Sequence, residues 1–113
     1  DDIMTNTNNA SEKTIWETMI KQNMVPLDVD GSQSTYVLDG TKNSAVEIHF
    51  GTQYLTPPRQ LAKVEPAVGR SRDTLDISST EFLILNRNPA LNAGRQYIPW
   101  NKIFQMVFLD VEA

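Results

Sequence analysis

The chain has 113 residues, enough for one hydrophobic core and too few for two. Its 40% hydrophobic and 21% charged residues suit an ordinary globular domain. It holds no cysteine and one histidine, which excludes disulfides, thiolate catalysis, cysteine-ligated zinc and a histidine-rich metal centre within one chain.

No apolar run approaches the roughly 20 residues of a membrane span. No basic segment followed by an apolar one stands at the N-terminus. Cytoplasmic residence without membrane contact is the expectation. Met4, after Asp1-Asp2-Ile3, reads either as the natural start or as an internal residue of a processed chain.

The net charge of −4 weakens a simple nucleic-acid reading. The charge is uneven, however. Acidic residues dominate positions 1–58, whereas Arg59, Lys63, Arg70, Arg72, Arg87, Arg95 and Lys102 give positions 59–102 a basic excess. These side chains form either a local basic surface or a set of ordinary solvated charges.

Residues 1–8 are polar and rich in Asn and Thr, and a disordered tail is expected there. Residues 9–113 are expected to form a single domain. Asn9-Ala10-Ser11-Glu12 can cap a helix, with the glutamate at the third position. Ile15, Trp16, Met19 and Ile20 recur at helical spacing. Asn23 suits a helix C-terminus and Pro26 forbids continuation, so the helix runs from near Ser11 to near Gln22.

Beyond Pro26 the pattern becomes β. Asp30-Gly31 signals a turn. The runs 34–38 and 45–51, joined through Asp39-Gly40, predict a hairpin. Val46, Ile48 and Phe50 alternate with Glu47 and His49, which predicts a strand with one wet face. Gly51 permits a bend. Thr56-Pro57-Pro58 marks an edge or a loop. Strands are expected over Arg59–Glu65, Leu75–Ser78 as a short strand or turn, Glu81–Leu85 and Gln96–Ile98. Polar loops fall at 68–74 and 86–94, and a tight turn at Pro99–Lys102. Ile103–Leu109 is nearly continuous in apolar residues, which predicts a last strand covered by the helix or shared with another copy.

One helix followed by about five strands suggests a small β-barrel with a helical lid. The helix Trp16–Met24, leading through Val25-Pro26-Leu27 into a first strand, resembles the opening of the Sm-like family, bacterial Hfq included. Ile98-Pro99-Trp100-Asn101-Lys102-Ile103-Phe104-Gln105-Met106 resembles its second signature, with Ile98, Ile103 and Met106 at the apolar positions. Where eukaryotic and archaeal members carry Arg-Gly, this chain has Pro99-Trp100. Where Hfq carries Tyr-Lys-His, it has Pro99-Trp100-Asn101. The resemblance implies a mainly β fold, an N-terminal α-helix followed by a strongly bent five-stranded antiparallel barrel. It also implies a cyclic homo-oligomer of about five to seven subunits and single-stranded RNA as a partner.

Catalysis is not expected. His49 is the only candidate base and sits on the wet face of its strand. Asp28 with Asp30, and Asp73 with Asp76, read as solvated turn carboxylates rather than an acid–base pair. Asp28, Asp30 and Gly31 echo part of a calcium loop that lacks its later glutamate. No glycine-rich phosphate motif, cofactor or metal is indicated. Trp100 either stacks a base, with Asn101 on its edge and Lys102 on a phosphate, or plugs the end of the barrel or a subunit interface. Arg87 and Arg95 are the further candidate RNA contacts. The alternative function is an oligomeric scaffold or protein-interaction module without nucleic acid.

Overall fold

The structure, a computed structural model, describes residues 2–27, 34–51, 59–67, 72–87 and 94–112, with side chains from Ala10 onward except that of Arg59. The expected turn at Asp30-Gly31, the Asp28–Asp30 carboxylates, the Tyr54–Pro58 segment, Arg70 and most of the two polar loops lie outside the described residues.

The chain is mainly β, with one N-terminal helix, α1 (Asp2–Asn23). Its strands are β1 (Val25–Pro26), β2 (Thr35–Val37), β3 (Asn43–Gly51), β4 (Arg59–Val64), β5 (Thr74–Asp76), β6 (Phe82–Asn86), β7 (Arg95–Pro99) and β8 (Ile103–Asp110). A 3-10 turn, Trp100–Lys102, joins β7 to β8.

The helix begins at Asp2, upstream of the expected cap at Asn9. Its end falls where the sequence places it. The Asn23 side-chain amide donates to the Met19 carbonyl at 2.8 Å, and the Met24 N–H donates to the Ile20 carbonyl at 2.8 Å, so two of the last carbonyls keep partners. The predicted apolar stripe is narrower than expected. Ile20 and Met24 are buried and Trp16 packs on the core, but Ile15 is 52% exposed. The buried positions fall four residues apart, which places them along one line of the helix.

The strands divide between two antiparallel sheets. One has five strands in the order β1-β2-β5-β6-β7; the other has three in the order β4-β3-β8. The expected helix and antiparallel β-structure are present; the strands among the described residues number eight, in two sheets, and no closed barrel is found. The expected hairpin of 34–38 with 45–51 is corrected. β2 pairs with β1 and β5, whereas β3 pairs with β4 and β8. The reason lies at Asp39. Its carbonyl accepts from the N–H groups of Lys42 (3.0 Å) and Asn43 (2.9 Å), and its carboxylate accepts from the Thr41 N–H (3.0 Å) and hydroxyl (2.6 Å). This closed turn changes the chain's direction without folding it back on itself, and it delivers the strand from one sheet into the other.

Two chain segments thus pair twice. As β3 and β4 they meet in the three-stranded sheet, from Val46 opposite Val64 to Gly51 opposite Arg59. As β2 and β5 they meet again in the five-stranded sheet, with Tyr36 opposite Leu75. Strands that switch sheets at bends make the corners of crossed-sheet architectures. At the other end of β3, Gly51 has φ +143°, a region that L side chains rarely adopt, and the register against β8 shifts between His49 and Phe50.

The core lies between the sheets and under the helix. Val46, Ile48 and Phe50 face inward from β3 as their alternation predicts, joined by Ala62, Val64, Ile103 and Met106. Tyr36, Leu75, Leu83, Leu85 and Ile98 come from the other sheet. The last strand, expected to be covered by the helix or shared with another copy, is covered only in part. Ile103 and Met106 of β8 are buried, Val107, Phe108 and Leu109 are half-buried, and Phe104 and Gln105 are exposed.

Candidate functional site

The turn between β7 and β8 was the first candidate. Pro99 precedes it with φ −58° and ψ 135°, an extended residue before a helical one. Trp100 follows and is fully buried. Its indole N–H donates to the Ser79 carbonyl at 3.0 Å, and its backbone N–H donates to the Glu81 carbonyl at 3.2 Å. The Ser79 hydroxyl oxygen accepts from the N–H groups of Glu81 (3.1 Å) and Phe82 (3.2 Å), which fixes the turn that Trp100 holds. The helix packs over the 3-10 turn. An indole so enclosed has no face left for a base, so Trp100 leaves the set of stacking residues and serves as the plug of this corner. Ile98, Ile103 and Met106, the other apolar positions of the motif, are buried beside it.

The remaining candidates do not converge. Asn101 is half-buried and Lys102 is exposed, both at the corner. Arg95 is exposed at the opposite end of β7. Four steps of strand, about 13 Å, separate it from Pro99. Arg87 has a structural task. Its Nη1 donates to the Lys63 carbonyl at 2.9 Å and lies 3.6 Å from the Asp73 carboxylate, which itself accepts from the Glu65 N–H at 3.2 Å. Arg87 thereby ties the end of β6 to the end of β4 across the two sheets.

A feature not anticipated from sequence lies on the outer face of the five-stranded sheet. Register sets Thr35, Asp76, Ile84 and Tyr97 in one row across β2, β5, β6 and β7, and Thr74, Asn86 and Arg95 in the next. With Leu27 these residues line a groove of about 340 Å³. Its size is at the low end of small-molecule sites, which run from about 300 to 1,000 Å³. Tyr97 is 52% exposed, and Phe82 meets it edge to face, with ring centroids 5.9 Å apart and planes at 87°. The Asp76 carboxylate accepts from the Ser78 N–H at 2.8 Å, which holds it in place. The sequence signal was present in Arg95-Gln96-Tyr97-Ile98: period two puts Arg95 and Tyr97 on one face and buried Ile98 on the other.

His49 and Glu47 project from one face of β3, with Nε2 3.4 Å from the carboxylate oxygen, both about a quarter exposed. Lys63 and Leu61 stand opposite them on β4. Among the described residues no three His, Cys, Asp or Glu side chains gather as metal ligands, and no helix is long and apolar enough to cross a membrane. Compared with known proteins, the chain matches no protein family, no curated protein and no solved structure.

Proposed function

We propose that this chain is a non-enzymatic RNA-binding module of the Sm-like type, working as a cyclic homo-oligomer. The observation that carries the reading is the outer face of the five-stranded sheet. There an exposed Tyr97, supported by Phe82, stands beside exposed Arg95. Sheet-borne aromatics that stack unpaired bases, next to cations that meet phosphates, are the recurring chemistry of single-stranded RNA recognition. Lys102, and Asn101 beside it, add a second contact point at the corner.

The succession of elements supports the family reading. A helix leads into two bent segments that pair through both sheets, β6 and β7 continue the meander, and a 3-10 turn returns the chain as β8 beside β3. Joining β2 with β3 and β4 with β5 as single bent strands yields five strands, the last beside the first, as an Sm-like barrel requires. The sheet edges support the ring. β7 ends one sheet and β8 ends the other, and pairing β7 of one copy with β8 of the next would engage both.

A second reading, an oligomeric scaffold without nucleic acid, draws on the acidic net charge of −4 and on the enclosure of Trp100. Titration of labelled single-stranded RNA at several salt concentrations separates the two. The RNA reading expects log affinity to fall with log salt at about −0.7 per neutralised phosphate. It also expects Arg95→Ala or Lys102→Ala to flatten that slope. Undetectable binding at low salt, with an oligomeric mass by light scattering, leaves the scaffold.

A further inference from the structure

We infer that the groove on the outer sheet face is a pocket for a guanine base. The inference rests on the RNA-binding reading for its ligand class and adds the identity of the base.

The groove carries two opposite charges on one floor. Asp76 stands on β5 and Arg95 on β7, with β6 between them and a register offset of two residues. Strand spacing and rise place their Cα atoms about 12 Å apart. Both side chains rise from the same face and line the same groove. Ile84, between them on β6, supplies an apolar floor, and Tyr97 supplies an aromatic wall whose tilt is set by Phe82.

An ionised aspartate accepts hydrogen bonds and donates none; a guanidinium donates and accepts none. The occupant must therefore show donors on one side and acceptors on the other. Guanine does: N1–H and N2–H₂ donate along its Watson–Crick edge, and O6 and N7 accept along the neighbouring edge. Arginine bidentate to O6 and N7 is the commonest specific pairing with this base. Adenine places an amine where Arg95 needs an acceptor. Uracil flanks its single N–H with carbonyls; cytosine can give its N4 amine to the carboxylate but offers the guanidinium no purine N7 edge. The Asn86 amide, opposite Arg95, can donate or accept and so suits the remaining base edge. The Ser78 N–H, bonded to one Asp76 oxygen, keeps the carboxylate oriented before any ligand arrives.

The test is calorimetric titration of the whole chain with 5′-GMP, 5′-AMP and 5′-UMP, and with single-stranded RNA hexamers with and without central guanines. The expected result is at least about tenfold preference for guanine in both series. Asp76→Asn should abolish that preference while keeping an acceptor for Ser78. Tyr97→Ala, at a half-exposed position, should weaken every guanine ligand about tenfold while the far-ultraviolet spectrum stays that of the parent. Guanine preference confined to the mononucleotides supports the pocket and overturns the RNA reading. Hexamers that bind without regard to guanine, or that ignore both substitutions, overturn the pocket and leave the RNA reading standing. Silence from every ligand at low salt overturns both.

Discussion

Trp100 gives the sharpest contrast between a structural and a binding role. Trp100→Ala removes a fully buried indole from beneath the helix and the hydrogen bond to the Ser79 carbonyl at 3.0 Å. Large aromatic-to-alanine changes in cores cost about 3–5 kcal/mol, because the lost transfer energy adds to that of the cavity. Domains of this size are stable by about 5–15 kcal/mol, so the loss removes a large share of the stability. With a urea slope of about 1.5 kcal/mol/M, a loss of about 4 kcal/mol moves the denaturation midpoint down by roughly 2–3 M.

Trp100→Phe isolates the polar part. It keeps most of the ring and deletes the N–H donor, at a cost of about 1–2 kcal/mol and a midpoint shift of about 1 M. Because the indole offers no face to solvent, the proposed RNA binding, measured per subunit, should stay within about twofold of the parent in this variant. The assay is urea denaturation followed by far-ultraviolet circular dichroism, paired with RNA titration of the folded Phe variant. A Phe variant with an unshifted midpoint and RNA affinity lost tenfold or more would refute the plug and return Trp100 to the binding surface.

Further outcomes follow from the same geometry. Arg87→Ala should cost about 1 kcal/mol, read as a drop of a few degrees in melting temperature, because it releases the tie to the Lys63 carbonyl and to Asp73, while RNA affinity stays within about twofold. The Thr41 hydroxyl, and then its N–H, hold the Asp39 carboxyl below its ordinary value. The stability this adds is complete above the unfolded-state value and is lost as pH falls through the lowered folded-state value. Asp39→Ala should therefore flatten the acid limb of a stability profile, and an unaltered limb would refute the turn's role. Phe104→Lys, at a residue 43% exposed on β8, should lower the mass of the proposed assembly by light scattering while the chain stays folded by circular dichroism.

What the sequence revealed was local. Val46, Ile48 and Phe50 were assigned inward by alternation alone, and they line the core. Pro99 and the apolar residues around it marked the corner, because proline fixes its own φ and restricts its neighbour. What it hid was which strands pair. Asp39-Gly40 carries the composition of a hairpin turn, and only the hydrogen bonds to the Asp39 carbonyl and carboxylate reveal a bend between sheets. β1 has only two residues and no periodicity to detect, and it exists because Tyr36 and Val37 offer it an edge. The groove was invisible for the same reason. Asp76, Asn86 and Arg95 lie on separate strands, and their meeting depends on register across β5, β6 and β7, a non-local property.

The buried corner also bears on assembly. Trp100 is buried at the turn where β7 leaves one sheet and β8 enters the other. Pairing unlike edges is heterologous: each copy offers one edge to the neighbour before it and the other to the neighbour after it. Such a contact closes into a ring when the rotation per subunit divides a full turn and otherwise runs on as a filament. In the proposed assembly the corner packed around Trp100 would bear on which of the two forms. Trp100→Phe, which shrinks the buried side chain without emptying the corner, should therefore broaden or shift the distribution of masses in solution even where the fold survives. A single unchanged mass across a dilution series, in a variant with the expected 1 M loss of stability, would show that the corner does not set the assembly.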